Sequence, residues 1–304
     1  MRKFWESFCA VAVVLLLLFG YANVTKAQSL SKPDLIEIIS LTGYIGDAAA
    51  ERLATIVANI NANKQAKAVV LILDSPGGGV VATGNAYEEL SKLKLPVVVW
   101  CSSICASGAV HLSMAPPVKY IGVRTETIGG SVGVIMYSAN YSRLLDWAKV
   151  DSKVYKSGPL KDSGNPNRAE TKADQEYLQG MIDELASRFY AVVEKGRGSK
   201  IKDWKSIKTA RIYFGKSIVD VGLADQVMTH EQVIAEAKEL SGSKNVYTRD
   251  EIKKMSESLS ESPSPSYYRV TPPEPQEYSI VFKILKDIHV GSSIRFEYLM
   301  PYQF

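Results

Sequence analysis

The segment Cys105-Ala106-Ser107-Gly108-Ala109 places a serine among small residues. That context leaves room for a peptide carbonyl beside the hydroxyl, and the amide of Gly108 is available to bind an oxyanion. A small residue capping or packing a helix start reads equally well from this segment alone. A nucleophilic serine needs a base. The chain has three histidines, His111, His230 and His289. His111 follows Ser107 by one helical turn, a poor placement for proton transfer. The other two fall at the start of a C-terminal helix and near the tail. A lysine is the alternative base, and Ser–Lys pairs are established hydrolase chemistry. A second candidate is the turn Asp74-Ser75-Pro76-Gly77-Gly78-Gly79. Its glycines let backbone approach a substrate and direct N–H groups at developing charge. It is not a phosphate loop, because no Gly-Lys-Ser/Thr follows.

The flanking elements place both turns where a site belongs. Leu35 to Leu41 reads as a strand, and 48–61 as a helix. The run Ala68 to Leu73 is continuously apolar, as in a strand covered on both faces. A helix is expected up to about Leu93, a second buried strand over Val97–Cys101, then a polar turn and a helix from about Cys105. This alternation predicts an α/β fold with a mostly parallel sheet, whose sites gather at the carboxyl ends of the strands. Farther on, Thr171 and Asp174 form a capping pattern. The apolar face of Tyr177, Leu178, Met181, Ile182, Leu185, Phe189, Tyr190 and Val193 predicts a long amphipathic helix, closed by Gly196 and Gly198 and facing core or a subunit interface.

Four ordered motifs resemble the signal peptide peptidase A (protease IV) family. They are Asp74-Ser75-Pro76-Gly77-Gly78-Gly79, Ala106-Ser107-Gly108, Gly130-Ser131-Val132-Gly133-Val134, and Ser157-Gly158-Pro159-Leu160-Lys161-Asp162. The stretch from Ala210 to Val227 resembles the family's closing element. The resemblance spans about Leu35 to Lys238 and implies a Clp/crotonase-like spiral of β-β-α units. It implies Ser107 as nucleophile, Lys161 as general base, Ser131 orienting the lysine, and the Gly78 and Gly108 amides as oxyanion hole. After the nucleophile the family usually has a second glycine and tyrosines, where this chain has Ala109, Val110 and His111. The implied activity is a serine endopeptidase acting on released signal peptides or other unfolded, apolar peptides, without cofactor or metal. Short members form rings in which one protomer's lysine serves the next protomer's serine. Two other classes compete. One is a crotonase-like acyl-thioester enzyme, which the export segment disfavours. The other is a non-catalytic peptide-binding relative, which the joint presence of Ser107, Ser131 and Lys161 disfavours.

A free lysine is protonated at neutral pH, so a lysine base requires desolvation. Asp162 beside Lys161 would oppose that, and is therefore expected to face away into a structural hydrogen bond.

The 304 residues are organised as residues 1–27, a signal peptide or membrane anchor; 32–240, the protease domain; 241–277, a Ser/Pro/Glu/Lys-rich mobile linker; and 278–304, an apolar tail docking on the body. Arg2 and Lys3 precede an apolar run from Phe8 to Ala22, with Thr25-Lys26-Ala27 as a possible cleavage site. This predicts export to the extracytoplasmic side of a bacterial membrane, with membrane association. A net charge of +4 spread along the chain gives no nucleic-acid surface. Cys9 lies in the export segment. Cys101 and Cys105 are read as buried small hydrophobes, with a disulfide as the alternative in an oxidising compartment.

Overall fold

The computed structural model describes residues 33–257 and the backbone of 268–270 and 296–298. The export segment, residues 278–285 of the tail and His289 lie outside the described residues.

In chain order the strands and helices are β1 (Asp34–Thr42), α1 (Asp47–Ala62), β2 (Ala66–Ser75), β3 (Gly78–Gly79), α2 (Val80–Ser91), β4 (Val97–Ala106), α3 (Gly108–Ser113), β5 (Val118–Val123), β6 (Ile128–Gly130), β7 (Ile135–Met136), α4 (Ser142–Trp147), α5 (Lys172–Arg197), α6 (Trp204–Ile207), β8 (Ile212–Phe214), α7 (Lys216–Asp220), β9 (Gln226–Val227), α8 (His230–Ser241), β10 (Val246–Thr248), α9 (Arg249–Glu257), β11 (Tyr268–Val270) and β12 (Phe296–Tyr298). The main sheet runs β10-β1-β2-β4-β5-β9 with every neighbouring pair parallel. This is the mostly parallel α/β architecture expected from the apolar runs. Its centre is dry on both faces. Leu71, Leu73 and Val99 pack with Leu53 of α1 and Leu90 of α2 on one side. Val70 and Val98 pack with Val233 of α8 on the other.

β4 is longer than its apolar run predicts. Beyond Cys101 it continues through Ser102 and Ser103 to Ala106, pairing with β6 at Ile104↔Ile128 and Ala106↔Gly130. The register against β2 slips here, from Leu73↔Cys101 to Ser75↔Cys105. Three residues of β4 thus oppose Asp74 alone, a bulge stabilised by the Ile104 N–H donating to Asp74 Oδ1 at 3.0 Å. A Cys101–Cys105 disulfide closes across it. That corrects the reading of two unlinked hydrophobes, since the bulge brings residues four apart in sequence side by side. The helix expected near Cys105 begins instead at Gly108.

The expected linker from 241 onward begins with ordered elements. β10 adds a parallel edge strand to β1, and α9 follows it. The cause is a buried acid. Glu37, on β1, is 1% exposed and receives Arg249 Nε at 3.0 Å, Arg249 Nη2 at 2.7 Å and Asn63 Nδ2 at 2.8 Å. Sequence composition marks 241–277 as polar but cannot show that one of its arginines satisfies a carboxylate 212 positions earlier. Farther on, β11 pairs with β1, and β12 pairs with β3 and β7 in a separate three-stranded sheet.

Arg249 is partly exposed whereas Glu37 is not. Arg249→Met is therefore expected to lower the unfolding free energy by about 2 kcal/mol, between the surface and buried cases. The shift of the urea midpoint at unchanged slope measures it.

Candidate active site

Ser107 ends β4 and caps α3 with φ 52° and ψ −116°, a conformation that costs a non-glycine residue about 1–3 kcal/mol. The turn is held from both sides. The Ser107 N–H donates to the Gly130 carbonyl at 2.8 Å, and its carbonyl accepts from the His111 N–H at 3.0 Å. Ser107 is fully buried, and its Oγ has no hydrogen-bond partner among the described residues. A strained strand-to-helix turn presenting a serine is the geometry of a nucleophile elbow. The small neighbours are legible in sequence; the strain is not.

The glycine turn lies against this elbow. A Cβ on Gly108 would fall 2.7 Å from Thr83 Oγ1, 3.2 Å from Gly77 Cα and 3.2 Å from Gly78 N. Only a glycine lets the three segments close. Gly108 is the first residue of α3, so its N–H has no intrahelical acceptor. Gly78 is oriented by its neighbours. The Ile45 N–H donates to Gly77 O at 2.9 Å, and the Gly79 N–H donates to Ile45 O at 3.1 Å. By strand alternation the N–H and C=O of Gly78 point to the opposite edge. There β12 lies antiparallel, with Tyr298 opposite Gly78 and Glu297 opposite both Gly79 and Ile135. An extended chain thus occupies the gap between β3 and β7, along the edge that carries the Gly78 amide.

Ser131 belongs to the same cluster. Ala106 pairs with Gly130, so Ser107 and Ser131 follow one another on adjacent strands. Ser131 is buried, has φ 51°, and donates its N–H to Arg211 O at 3.0 Å. Gly130 has φ 98°, and a Cβ there would meet Arg211 O at 2.7 Å.

Lys161 stands apart. It is exposed, on a turn closed by its N–H to Gly158 O at 3.2 Å. It lines an open cavity of about 520 Å³ with Leu160, Ser163 and, from α5, Tyr177, Leu178 and Met181; Ser107 is not on that wall. The structure therefore brings together Ser107, Ser131, Gly78 and Gly108, and leaves Lys161 unjoined within one chain. Asp162 is engaged in structural bonds, as expected of it from the sequence. It accepts from Lys156 Nζ at 2.5 Å and Arg168 Nε at 2.8 Å. Sequence reading missed Arg168, which also binds Asp174; the cap signal at Thr171 and Asp174 was the available clue.

The described histidines are structural. His230 stacks on Trp100 with ring centroids 4.8 Å apart. His111 is buried between Tyr87 at 5.0 Å and Phe189 at 5.2 Å, and desolvation lowers its pKa to about 4.

The sequence pattern of peptidase family S49 matches residues 89–244, and that of the Clp protease family matches residues 26–121. A Synechocystis sp. protein named "Putative protease" is 34% identical over 67% of this chain and 73% of its own length. An Enterococcus faecium protein named "Putative signal peptide peptidase SppA" is 32% identical over 62% of this chain and 55% of its own length. Protease 4 of Haemophilus influenzae is 23% identical over 71% of this chain and 36% of its own length. The chain thus spans about half of the second relative and about a third of the third.

Burial of neutral His111 has a pH consequence. The unfolded imidazole takes up a proton below about 6.5, and the folded one only near 4. Stability is therefore unaffected above pH 6.5 and falls between these values, by about 3 kcal/mol at full extent. His111→Phe should flatten that part of the stability–pH curve, measured by denaturant melts from pH 7 to 4.

Proposed function

The chain belongs to peptidase family S49, and from that premise we propose a serine endopeptidase in which Ser107 is the nucleophile and Lys161 the general base. The observation that carries this reading is the Ser107 elbow, with a buried hydroxyl that has no partner among the described residues, packed where Gly108 closes on the Gly77–Gly78 backbone. Ser107 Oγ attacks the peptide carbonyl as the neutral lysine amine takes its proton. The two amides bind the tetrahedral oxyanion. The lysine ammonium then protonates the leaving amine, and a water deprotonated by the lysine hydrolyses the acyl-enzyme. Ser131, beside Ser107 in the register, orients the lysine amine.

The lysine comes from a neighbouring protomer. Lys161 is exposed, and Ser107 Oγ binds no group among the described residues. The cavity that Lys161 lines carries exposed apolar residues, Leu160 and Tyr177, and Leu144, Trp147 and Tyr155 are exposed as well. A second copy packed there would bury these residues and desolvate the amine. Closed rings would admit extended chains and exclude folded ones. The N-terminal apolar run supports an exported, membrane-associated enzyme acting outside the cytoplasm on peptides such as released signal peptides. Among the described residues no helix is long and apolar enough to cross a membrane.

Substrate enters as an added strand, in the place β12 takes between β3 and β7. Its apolar sequence makes the tail a plug or self-substrate.

Ser107→Ala and Lys161→Ala should each abolish peptide hydrolysis with the fold retained. Co-expressed as mixed assemblies, the two should regain activity, because some sites then pair an intact Ser107 with an intact Lys161. Co-assembly without activity refutes shared sites, and a Lys161→Ala enzyme with wild-type turnover refutes the lysine base.

Truncation after Pro275 should raise turnover of a short added peptide by vacating the groove. Unchanged turnover, assembly and stability would remove the tail from the mechanism.

A further inference from the structure

Arg168 is the hub of a charge cluster beside Lys161. Its guanidinium binds Asp162 through Nε–Oδ2 at 2.8 Å and Nη2–Oδ1 at 3.0 Å, and binds Asp174 through Nη1–Oδ2 at 2.6 Å and Nη2–Oδ1 at 2.9 Å. It also donates to the main-chain carbonyl of Asp162 at 3.2 Å. One guanidinium therefore grips both the side chain and the backbone of the residue following Lys161. Asp174 is itself immobilised. It lies in the first turn of α5, reciprocates the Thr171 cap, and accepts from Ser163 Oγ at 2.7 Å. Helix α5 runs 26 residues and buries Phe189 and Val193 in the core, so the clamp ties the lysine turn to a rigid body.

The cluster is also balanced, with Arg168 and Lys156 against Asp162 and Asp174. Bonding to Arg168, then to Lys156, holds the Asp162 carboxyl well below the usual carboxylate range. Bonding to Arg168, then to Ser163 and Thr171, does the same for Asp174. Both are anions wherever a lysine base is assayed. An anion adjoining Lys161 with its counter-charge removed would favour the ammonium, the wrong form for a base. The other titratable group facing Lys161 across the cavity is Tyr177 of α5.

We propose that Arg168 is a positioning residue for Lys161: it anchors the lysine turn to the start of α5 and cancels the charge of Asp162, so that the amine is delivered in a fixed place and released from its proton. This rests on Lys161 being the general base.

The test compares kcat/KM against pH, with melting temperatures, for the full chain and for Lys161→Ala, Arg168→Met, Asp162→Asn and the Arg168→Met/Asp162→Asn double variant, on one peptide substrate. The activity of the wild type should rise with pH as the amine deprotonates. Arg168→Met should move that rise to higher pH and cost at least fivefold at neutral pH, with recovery at alkaline pH. Asp162→Asn should move it to lower pH, and the double variant should return it toward the wild-type position. Loss of activity by the same factor at every pH, or an unmoved profile in both single variants, overturns the proposal. If Arg168→Met fails to fold, the direction of the Asp162→Asn shift decides. A Lys161→Ala enzyme with wild-type activity overturns the assignment of the base instead, and is recognised separately.

Discussion

The hydrogen bond from the Ser107 N–H to the Gly130 carbonyl joins the two strands that meet at the candidate site. It exists because β4 does not stop where its apolar residues stop. The bulge opposite Asp74 lets the strand continue alongside β6, and that extension delivers Ser107 to the sheet edge with its backbone in a disfavoured conformation. Relaxing the turn would break the bond to Gly130 and lift Gly108 from the Gly77–Gly78 backbone, separating the two amides proposed as the oxyanion hole. Strain of this kind persists only where surrounding contacts over-determine it. Here the strand ladder, the bulge, the disulfide and the first turn of α3 all do so.

Two arginines solve the same electrostatic problem in two separate clusters. Arg249 compensates Glu37 beneath the sheet edge and so recruits residues 246–257 to the body. Arg168 compensates Asp162 and Asp174 and so stiffens the turn carrying Lys161. Both use a guanidinium because its planar fork can hold carboxylate oxygens in pairs and stays charged throughout. The first cluster ties the C-terminal elements to the sheet, and the second fixes the turn that carries Lys161.

The nucleophile and its proposed base are built in opposite manners. Ser107 is enclosed, strained and dry, whereas Lys161 is solvated on a clamped turn amid exposed apolar residues. The proposed mechanism needs a neutral amine, and a solvated turn does not favour one. In the proposed mechanism, association would supply the desolvation that the lysine needs and so couple assembly to activity. β12 occupies the strand edge between β3 and β7, the edge proposed here for a peptide.

Much of this was determined by local sequence. Continuous apolar runs make the parallel strands, since a strand covered on both faces has no polar side. Gly77, Gly78 and Gly108 mark close backbone approach, because a Cβ at Gly78 or Gly108 would collide with its neighbours. Thr171 and Asp174 announce the start of α5 by a capping box that needs only four residues. Local sequence could not show that Ser102 and Ser103 lie within a strand, that Cys101 and Cys105 are joined, or that 246–257 belong to the body. Each depends on a partner distant in the chain: β6, the bulge against Asp74, and Glu37. Nor could it show Ser107 and Ser131 assembled while Lys161 faces solvent. Residue types and order specify which chemistry is available. Burial, register and charge compensation are properties of surfaces brought together, and the tertiary structure alone decides them.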